Sequence, residues 1–155
     1  GAILFRASEL IARQGTDVFE SLGIRIPANL ISIVLTLSKY GPCSSTELSN
    51  RIGISRQLIE SRLKKSVQKG IFIIRQDETD SRKKLYDIAE DMKAEAQRVI
   101  AIMGDFESVY DSLWTEINAD LESALLKMEK ALNKHSLEER LLEQFPGYSE
   151  QLKED

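Results

Sequence analysis

Hydrophobic residues in the first forty positions recur three or four apart, which is the spacing of an apolar helix face. This pattern predicts a helix over residues 3–20, which Gly23 ends. Pro27 fits the first position of a second helix, and Gly41 and Pro42 end that helix. Most sides of the second helix are apolar, so we expect it to be buried.

The next segment has the pattern of two short helices joined by a glycine turn. Ser44 can cap the first of them while Glu47 reaches back to the cap amide, which is a capping box. Gly53 supplies the turn, Ser55 caps the following helix, and Gly70 ends it. This is the helix-turn-helix pattern. The apolar positions expected to face the core from the second of these helices are Leu58, Ile59, Leu63 and Val67.

Beyond that helix the sequence becomes rich in β-branched and aromatic residues. Residues 71–76 and 84–88 are predicted to form two antiparallel strands around the polar loop 77–83. A lone hairpin is marginally stable in water, so we expect it to pack against the helices as a wing. The predicted fold class is therefore mainly α with a small two-stranded β wing, a winged helix-turn-helix.

Two further amphipathic helices are predicted over residues 94–117 and 120–133. The apolar stripes at both chain ends exceed what a small central module can cover, so we expect a second subunit to cover the rest. Residues past 136 are predicted to form either a short docked helix or a disordered tail. We expect three parts: an N-terminal dimerisation helix (1–26), a winged helix-turn-helix DNA-binding domain (27–92), and C-terminal dimerisation helices with a tail (93–155).

Charge is unevenly distributed along the chain. The net charge is -4, but residues 51–84 contain ten basic and four acidic side chains, so that segment carries +6 and the remainder carries -10. A positive segment within an acidic protein is expected when one face meets phosphates and the rest does not. The alternative is an ordinary solvated charged face.

Composition excludes several other classes of function. No apolar stretch is long enough to span a bilayer and no secretory signal is visible, so we expect a cytoplasmic protein with no membrane partner. The sequence starts at Gly1 rather than at methionine, as when native residues are missing. The single cysteine and single histidine, Cys43 and His135, predict neither a disulfide nor a zinc site. No nucleophile with a base and no glycine-rich phosphate loop is present, so we expect neither an enzyme nor a cofactor.

Polar residues that follow Ser55 have the chemistry to contact DNA. Guanidinium, amide and hydroxyl groups can pair with base edges or phosphates, and the early residues of such a helix reach base edges. Glu60 can only accept hydrogen bonds, so it either binds a cytosine amine or is held by a neighbouring arginine. The predicted contact residues before the wing are Ser44, Ser55, Arg56, Gln57, Ser61, Arg62, Lys64 and Lys65.

The wing contributes a second group of predicted contacts. An arginine at a hairpin tip, here Arg82, fits the narrow minor groove. Asp80 is expected to brace the loop by hydrogen bonds to backbone amides or to an arginine. Lys83 and Lys84 are expected to meet the DNA backbone, and Arg75 completes the predicted set.

Three successive segments resemble the wing of the MarR (multiple antibiotic resistance regulator) family: residues 70–75, Asp80-Ser81-Arg82 and residues 84–88. The residues that lead into the helix-turn-helix are also similar to those of this family, at Gly41-Pro42, Glu47-Leu48 and Gly53-Ile54-Ser55. The resemblance implies an obligate homodimer joined by its first and last helices. It places Arg82 in the minor groove and the helix after Ser55 in the major groove. It also implies a crevice where some relatives bind small aromatic or anionic effectors.

The sequence departs from that family at Ser66, Ala89 and Met92, where relatives usually have leucine, threonine and glycine. Residues 131–140 resemble the tail of members that continue into an acetyltransferase domain. The sequence thus favours a sequence-specific double-stranded DNA-binding transcriptional regulator, of the repressor type, that binds a pseudo-palindromic operator as a homodimer. Two alternatives are a winged-helix module that docks an acidic protein partner and the regulatory part of a larger bifunctional protein.

Overall fold

The computed structural model describes residues 1–77, 80 and 82–149. Glu78, Thr79 and Ser81 of the predicted wing loop, and tail residues 150–155, lie outside the described residues. The chain divides into two compact units, Gly1–Asp105 and Phe106–Asp155. The predicted division at residues 26 and 92 remains a prediction.

The first unit is mostly helical with one two-stranded sheet. Short 3-10 turns, Ala28–Leu30 and Glu90–Met92, precede its second and its last helix. Its elements are α1 (Ala2–Ser21), α2 (Ile31–Tyr40), α3 (Ser45–Ile52), α4 (Arg56–Gln68), β1 (Phe72–Gln76), β2 (Lys84–Ile88) and the start of α5 (Lys93–Glu116). The predicted fold class, mainly α with a two-stranded wing, is confirmed.

Side-chain caps fix where α3 and α4 begin. Ser44 Oγ accepts a hydrogen bond from the Glu47 backbone N–H at 3.3 Å, and the Glu47 carboxylate accepts one from the Ser44 N–H at 2.7 Å. Ser55 Oγ accepts a bond from the Leu58 N–H at 3.3 Å. Each cap satisfies a backbone donor that has no partner within its helix. The predicted capping box and the predicted cap at Ser55 are both confirmed.

The wing is held to the helical part by a third segment of backbone. Strands β1 and β2 are antiparallel, with Phe72 opposite Ile88. Cys43, just before α3, exchanges two hydrogen bonds with Tyr86 of β2, with N···O distances of 3.1 and 2.8 Å. Gly70 has a φ of 71°, which a residue with a side chain rarely adopts, and lets the chain turn from α4 into β1. The hairpin therefore leans on the helices, as predicted.

The core of the first unit joins α2, α3, α4, β1 and the start of α5. Its most completely buried large side chains are Phe72, Ile26, Ile33, Leu48, Ile59, Leu63, Val34 and Val99. The prediction that Leu58 faces the core is wrong, because that side chain is 42% exposed. Successive helix positions are turned by about 100°, so Ile59 takes the inward direction and Leu58 points away.

The positions that depart from the MarR family are accommodated in this core. Ser66 is buried, and its Oγ donates to the Arg62 carbonyl at 2.7 Å, so the hydroxyl is not left without a partner. Ala89 and Met92 are also buried. All three departures therefore lie in the packed interior of the first unit.

The second unit contains the end of α5, α6 (Leu121–Lys134), α7 (Leu137–Gln144) and a 3-10 turn, Pro146–Ser149. A capping box of Ser136 and Glu139 begins α7. Arg140 donates to the His135 and Ala131 carbonyls at 3.0 and 3.1 Å, which ties the start of α7 to the end of α6. Of the two predictions for the tail, a short helix is therefore confirmed for the residues of α7, although none of its side chains is buried.

Both chain ends expose large apolar side chains. On α1 these are Ile3, Leu4, Phe5, Leu10 and Ile11, and in the second unit they include Val109, Ile117, Leu126, Met128, Leu132, Leu137 and Leu141. Such surfaces typically mark interfaces, although the homodimer remains a prediction. Within the described residues, no helix combines the length and apolar character needed to cross a membrane.

Candidate nucleic-acid interface

Helix α4 presents a polar face to solvent because its opposite face is anchored in the core. Ile59 and Leu63 are fully buried, which fixes the rotation of the helix about its axis. Arg62, one of the predicted contacts, is half-buried. The predicted contacts that α4 leaves exposed are Arg56, Gln57, Ser61, Lys64 and Lys65, and its cap Ser55 is also exposed.

The wing turn carries a highly exposed arginine that an aspartate braces. The Arg82 side chain is 91% exposed. Asp80 Oδ1 accepts from the Arg82 backbone N–H at 3.0 Å and from Arg82 Nε at 3.3 Å. Asp77 Oδ1 accepts in turn from the Asp80 N–H at 3.2 Å. The predicted bracing of the loop by Asp80 is therefore confirmed.

Lys83 links the wing to the start of α3. Its Nζ lies 3.2 Å from Glu47 Oε1 and 3.7 Å from Asp77 Oδ2, with the side chain 39% exposed. The hydrogen bond to Glu47 raises the pKa of Lys83, so its positive charge is retained. This link was not predicted from the sequence, because 36 positions separate the partners and no local pattern joins them. The neighbouring Lys84 is exposed.

Arg75 also has a partner within the wing. Its Nε lies 2.9 Å from Asp87 Oδ2 on the adjacent strand, and its side chain is 50% exposed. Because the two strands are antiparallel, this pair crosses the hairpin and reinforces its register. In the free protein, Arg75 is therefore paired with a carboxylate within the hairpin.

Helix α3, helix α4 and the wing border a groove of about 910 Å³. The predicted contact residues that line it are Ser44, Arg56, Lys64, Arg82, Lys83 and Lys84. The predicted residues that do not line it are Ser55, Gln57, Ser61, Arg62, Lys65, Arg75 and Asp80. Val67, Ile74 and Tyr86 add apolar surface to the same groove. Cations that are far apart in sequence are thus brought to one surface.

Two carboxylates, Glu47 and Glu60, line the groove beside these cations, and Glu60 is the one on α4. Glu60 Oε1 accepts from Arg56 Nε at 2.7 Å and from Ser45 Oγ at 3.0 Å. These bonds, the one from Arg56 first, lower the pKa of Glu60, so it is ionised at neutral pH. Of the two predictions for Glu60, the one in which a neighbouring arginine holds it is confirmed for the free protein. Ser45 was not singled out from the sequence.

Cys43 has the environment of a packing residue. It is 4% exposed, and its Sγ lies 3.4 Å from the Gly41 carbonyl oxygen. Burial raises the pKa of the thiol, which keeps it protonated and unreactive at neutral pH. In the described part of the chain, no three side chains of the metal-binding types lie close enough to hold an ion.

The first testable prediction concerns acid stability. The hydrogen bond from the Ser44 backbone, followed by the one from its side chain, lowers the pKa of Glu47 from 4.5 to about 2. A folded-state pKa below the unfolded value stabilises the fold above pH 4.5, and this contribution is lost as pH falls toward 2. Glu47→Gln is therefore expected to flatten the loss of stability in this range, as measured by urea unfolding.

Glu129→Gln, on α6, provides the matched control, since the same change of charge there removes no cap of α3. Glu129→Gln should leave unchanged the loss of unfolding free energy at acid pH. An equally steep loss of stability for Glu47→Gln and for the unsubstituted protein would contradict the assignment. Because the Glu47 side chain is 43% exposed, solvent screening keeps the size of this effect modest.

No protein-family model and no curated protein matches the sequence. Solved structures do match. A cysteine-to-serine mutant of MarR from E. coli, complexed with operator DNA, gives a TM-score of 0.67 at 16% identity, over 85% of this chain and 91% of that chain. The chain has the winged helix-turn-helix fold of MarR-like regulators. The resemblance seen in the sequence is thus confirmed at the level of the fold.

Two other solved structures match in the same way. A putative MarR-like transcription regulator from Bacillus cereus ATCC 10987 gives a TM-score of 0.65 at 18% identity, over 84% of this chain and 94% of that chain. The transcriptional repressor CouR, bound to a 23-mer DNA duplex, gives 0.63 at 18% identity, over 84% and 89%. All three similar structures are transcription regulators.

Proposed function

We propose that this chain is a sequence-specific double-stranded DNA-binding repressor of transcription that acts as a homodimer. The observation that carries the proposal is the groove in which Arg56, Lys64, Arg82 and Lys84 converge, in a chain that is acidic elsewhere. Phosphates are the partners that such a concentration of cations selects. Two of the similar structures, CouR and the MarR mutant, hold DNA. Their being regulators rather than enzymes favours a binding role over a catalytic one.

In this proposal α4 enters the major groove with its first residues against base edges. Arg56 and Gln57 stand at that end, exposed, and have the donors that base edges accept. Lys64, Lys65 and Lys84 bind phosphates, which position the protein without selecting sequence. Arg82, at 91% exposure, enters the adjacent minor groove.

The apolar surface exposed on α1 and in the second unit supports the proposed homodimer. Two copies related by a two-fold axis would present two α4 helices about 34 Å apart, one turn of DNA, and so bind a pseudo-palindromic operator. A crevice for a small aromatic or anionic effector belongs to the same proposal and rests on the resemblance to the MarR family.

Selection from a random duplex pool tests the function directly. The expected product is a set of sites with two-fold symmetry, bound by two protomers, as measured by sequencing and by sedimentation of the complex. Raising the salt concentration from about 50 to about 200 mM should then weaken binding steeply. A plot of the logarithm of the binding constant against the logarithm of the salt concentration should have a slope of about -0.9 for each phosphate neutralised. Fluorescence anisotropy with the selected duplex gives that slope.

Each part of this experiment has an outcome that contradicts the proposal. An unenriched pool would show that the chain does not recognise sequence. A slope near zero would show that the cations of the groove do not meet phosphates. A duplex with no two-fold symmetry, bound by a single protomer, would exclude the homodimer.

A further inference from the structure

Glu60 lies on the exposed face of α4, among the cations proposed to bind DNA. A carboxylate at this place repels phosphates, so its presence on this face needs a separate explanation. The structure offers Glu60 two partners, Arg56 Nε at 2.7 Å and Ser45 Oγ at 3.0 Å, which share the oxygen Oε1. The three side chains form a connected group that we call the Arg56–Glu60–Ser45 group.

Helix stability does not account for the pair of Arg56 and Glu60. Arg56 is the first residue of α4, where the helix dipole disfavours a positive charge. An arginine four positions before a glutamate is also the less favourable order for a pair on a helix surface. A chain selected only for a stable α4 would place the two charges the other way round.

Ser45 fixes the carboxylate from a different helix. It is the first residue of α3 and is only 9% exposed, so its hydroxyl has little freedom to move. The bond from Ser45 therefore sets the position of Glu60 Oε1 relative to both α3 and α4. The bond from Arg56 Nε to the same oxygen then sets the position of the guanidinium.

We propose that Glu60 is a positioning residue that holds Arg56 in place to recognise guanine at one position of the DNA site. A guanidinium has five N–H donors, and Nε supplies only one of them, so donors remain for guanine O6 and N7. The Arg56 side chain is 63% exposed, which leaves it within reach of a base. An arginine that is already ordered loses less freedom on binding. This inference rests on the proposed DNA-binding function.

The test measures base preference rather than affinity alone. Duplexes carrying each of the four bases at every position of the selected site are titrated against the unsubstituted protein, Arg56→Ala, Glu60→Ala and Glu60→Gln. Arg56→Ala and Glu60→Ala should each lose a roughly tenfold preference for guanine, and at the same position. Glu60→Gln should keep most of that preference, because its amide oxygen accepts the same two hydrogen bonds.

Glu90→Ala is the matched control. Glu90 is an exposed carboxylate that pairs with Lys93 at 2.6 Å, outside α4, so its loss makes the same change in charge. It should leave the base preferences unchanged. Thermal unfolding of every variant shows whether a lost preference reflects a lost fold. A preference for guanine that Glu60→Gln retains also shows that a substitution at this position leaves the fold intact.

Two results would overturn the positioning role while leaving the DNA-binding function intact. If both Glu60 variants bind all duplexes more tightly with the guanine preference unchanged, Glu60 acts only through repulsion. If Glu60→Ala instead loses a preference for cytosine at a position that Arg56→Ala leaves intact, Glu60 contacts that base itself. If the unsubstituted protein shows no base preference at any position, the proposed function itself is contradicted. This result is obtained before any variant is compared, so the two failures can be distinguished.

Discussion

Replacing Phe72 by alanine is expected to lower the free energy of unfolding by about 3–5 kcal/mol. Phe72 is 1% exposed, at the start of β1, where it joins the wing to the core of the first unit. Truncation removes the ring from its apolar surroundings and leaves a cavity that close-packed neighbours fill only in part. Urea unfolding followed by circular dichroism measures the change.

The matched control is Ile73→Ala, one position along the same strand. Ile73 is 37% exposed and opposite Asp87, so its truncation opens no interior cavity and should cost clearly less. Both variants are compared at one protein concentration, because any association of subunits adds to the measured stability. Equal losses for Phe72→Ala and Ile73→Ala would show that the wing is not anchored through Phe72.

Replacing Arg82 by alanine is expected to weaken operator binding by roughly 1–3 kcal/mol. The side chain is 91% exposed at the wing turn, held by Asp80 Oδ1 through both its backbone and its Nε. The minor groove concentrates negative potential, so an arginine placed there contributes more than one on an open surface. Anisotropy titration with the selected duplex at fixed salt gives the change in affinity.

The fold itself should be little affected by Arg82→Ala, since exposed ion pairs contribute little to stability. Lys93→Ala serves as the charge-matched control because Lys93 is an exposed cation outside the basic segment. It should leave operator affinity nearly unchanged. An unaltered dissociation constant for Arg82→Ala would remove the wing from the mechanism of binding.

Features that depend on near neighbours in sequence were predictable. The caps at Ser44 and Ser55 and the turn at Gly70 use local backbone geometry, and residues 71–76 and 84–88 place β-branched and aromatic residues on either side of a polar loop. The bracing of the wing turn by Asp80 belongs to the same class, because its partner is two positions away. These local signals, together with the order of the elements, were sufficient to predict the fold.

Features that depend on packing were not predictable in the same way. Leu58 and Ile59 are equally apolar, and only the packed orientation of α4 decides that Leu58 is the exposed one. The bond from Ser45 to Glu60 and the bond from Lys83 to Glu47 join residues on different elements. Nothing in the local sequence marks such partners, so a neighbouring arginine was one predicted partner of Glu60, whereas the bond from Ser45 and the link from Lys83 to Glu47 were not predicted.

The carboxylate of Glu47 is shared between two elements, with Oε2 accepting from Ser44 and Oε1 from Lys83. Fraying of the first turn of α3 therefore removes one of the two carboxylates that hold Lys83 at the loop end of the hairpin. Local opening of the two segments is thus coupled through this ion pair. We therefore expect Glu47→Gln to increase hydrogen exchange of amide protons both at the start of α3 and at the loop end of the hairpin.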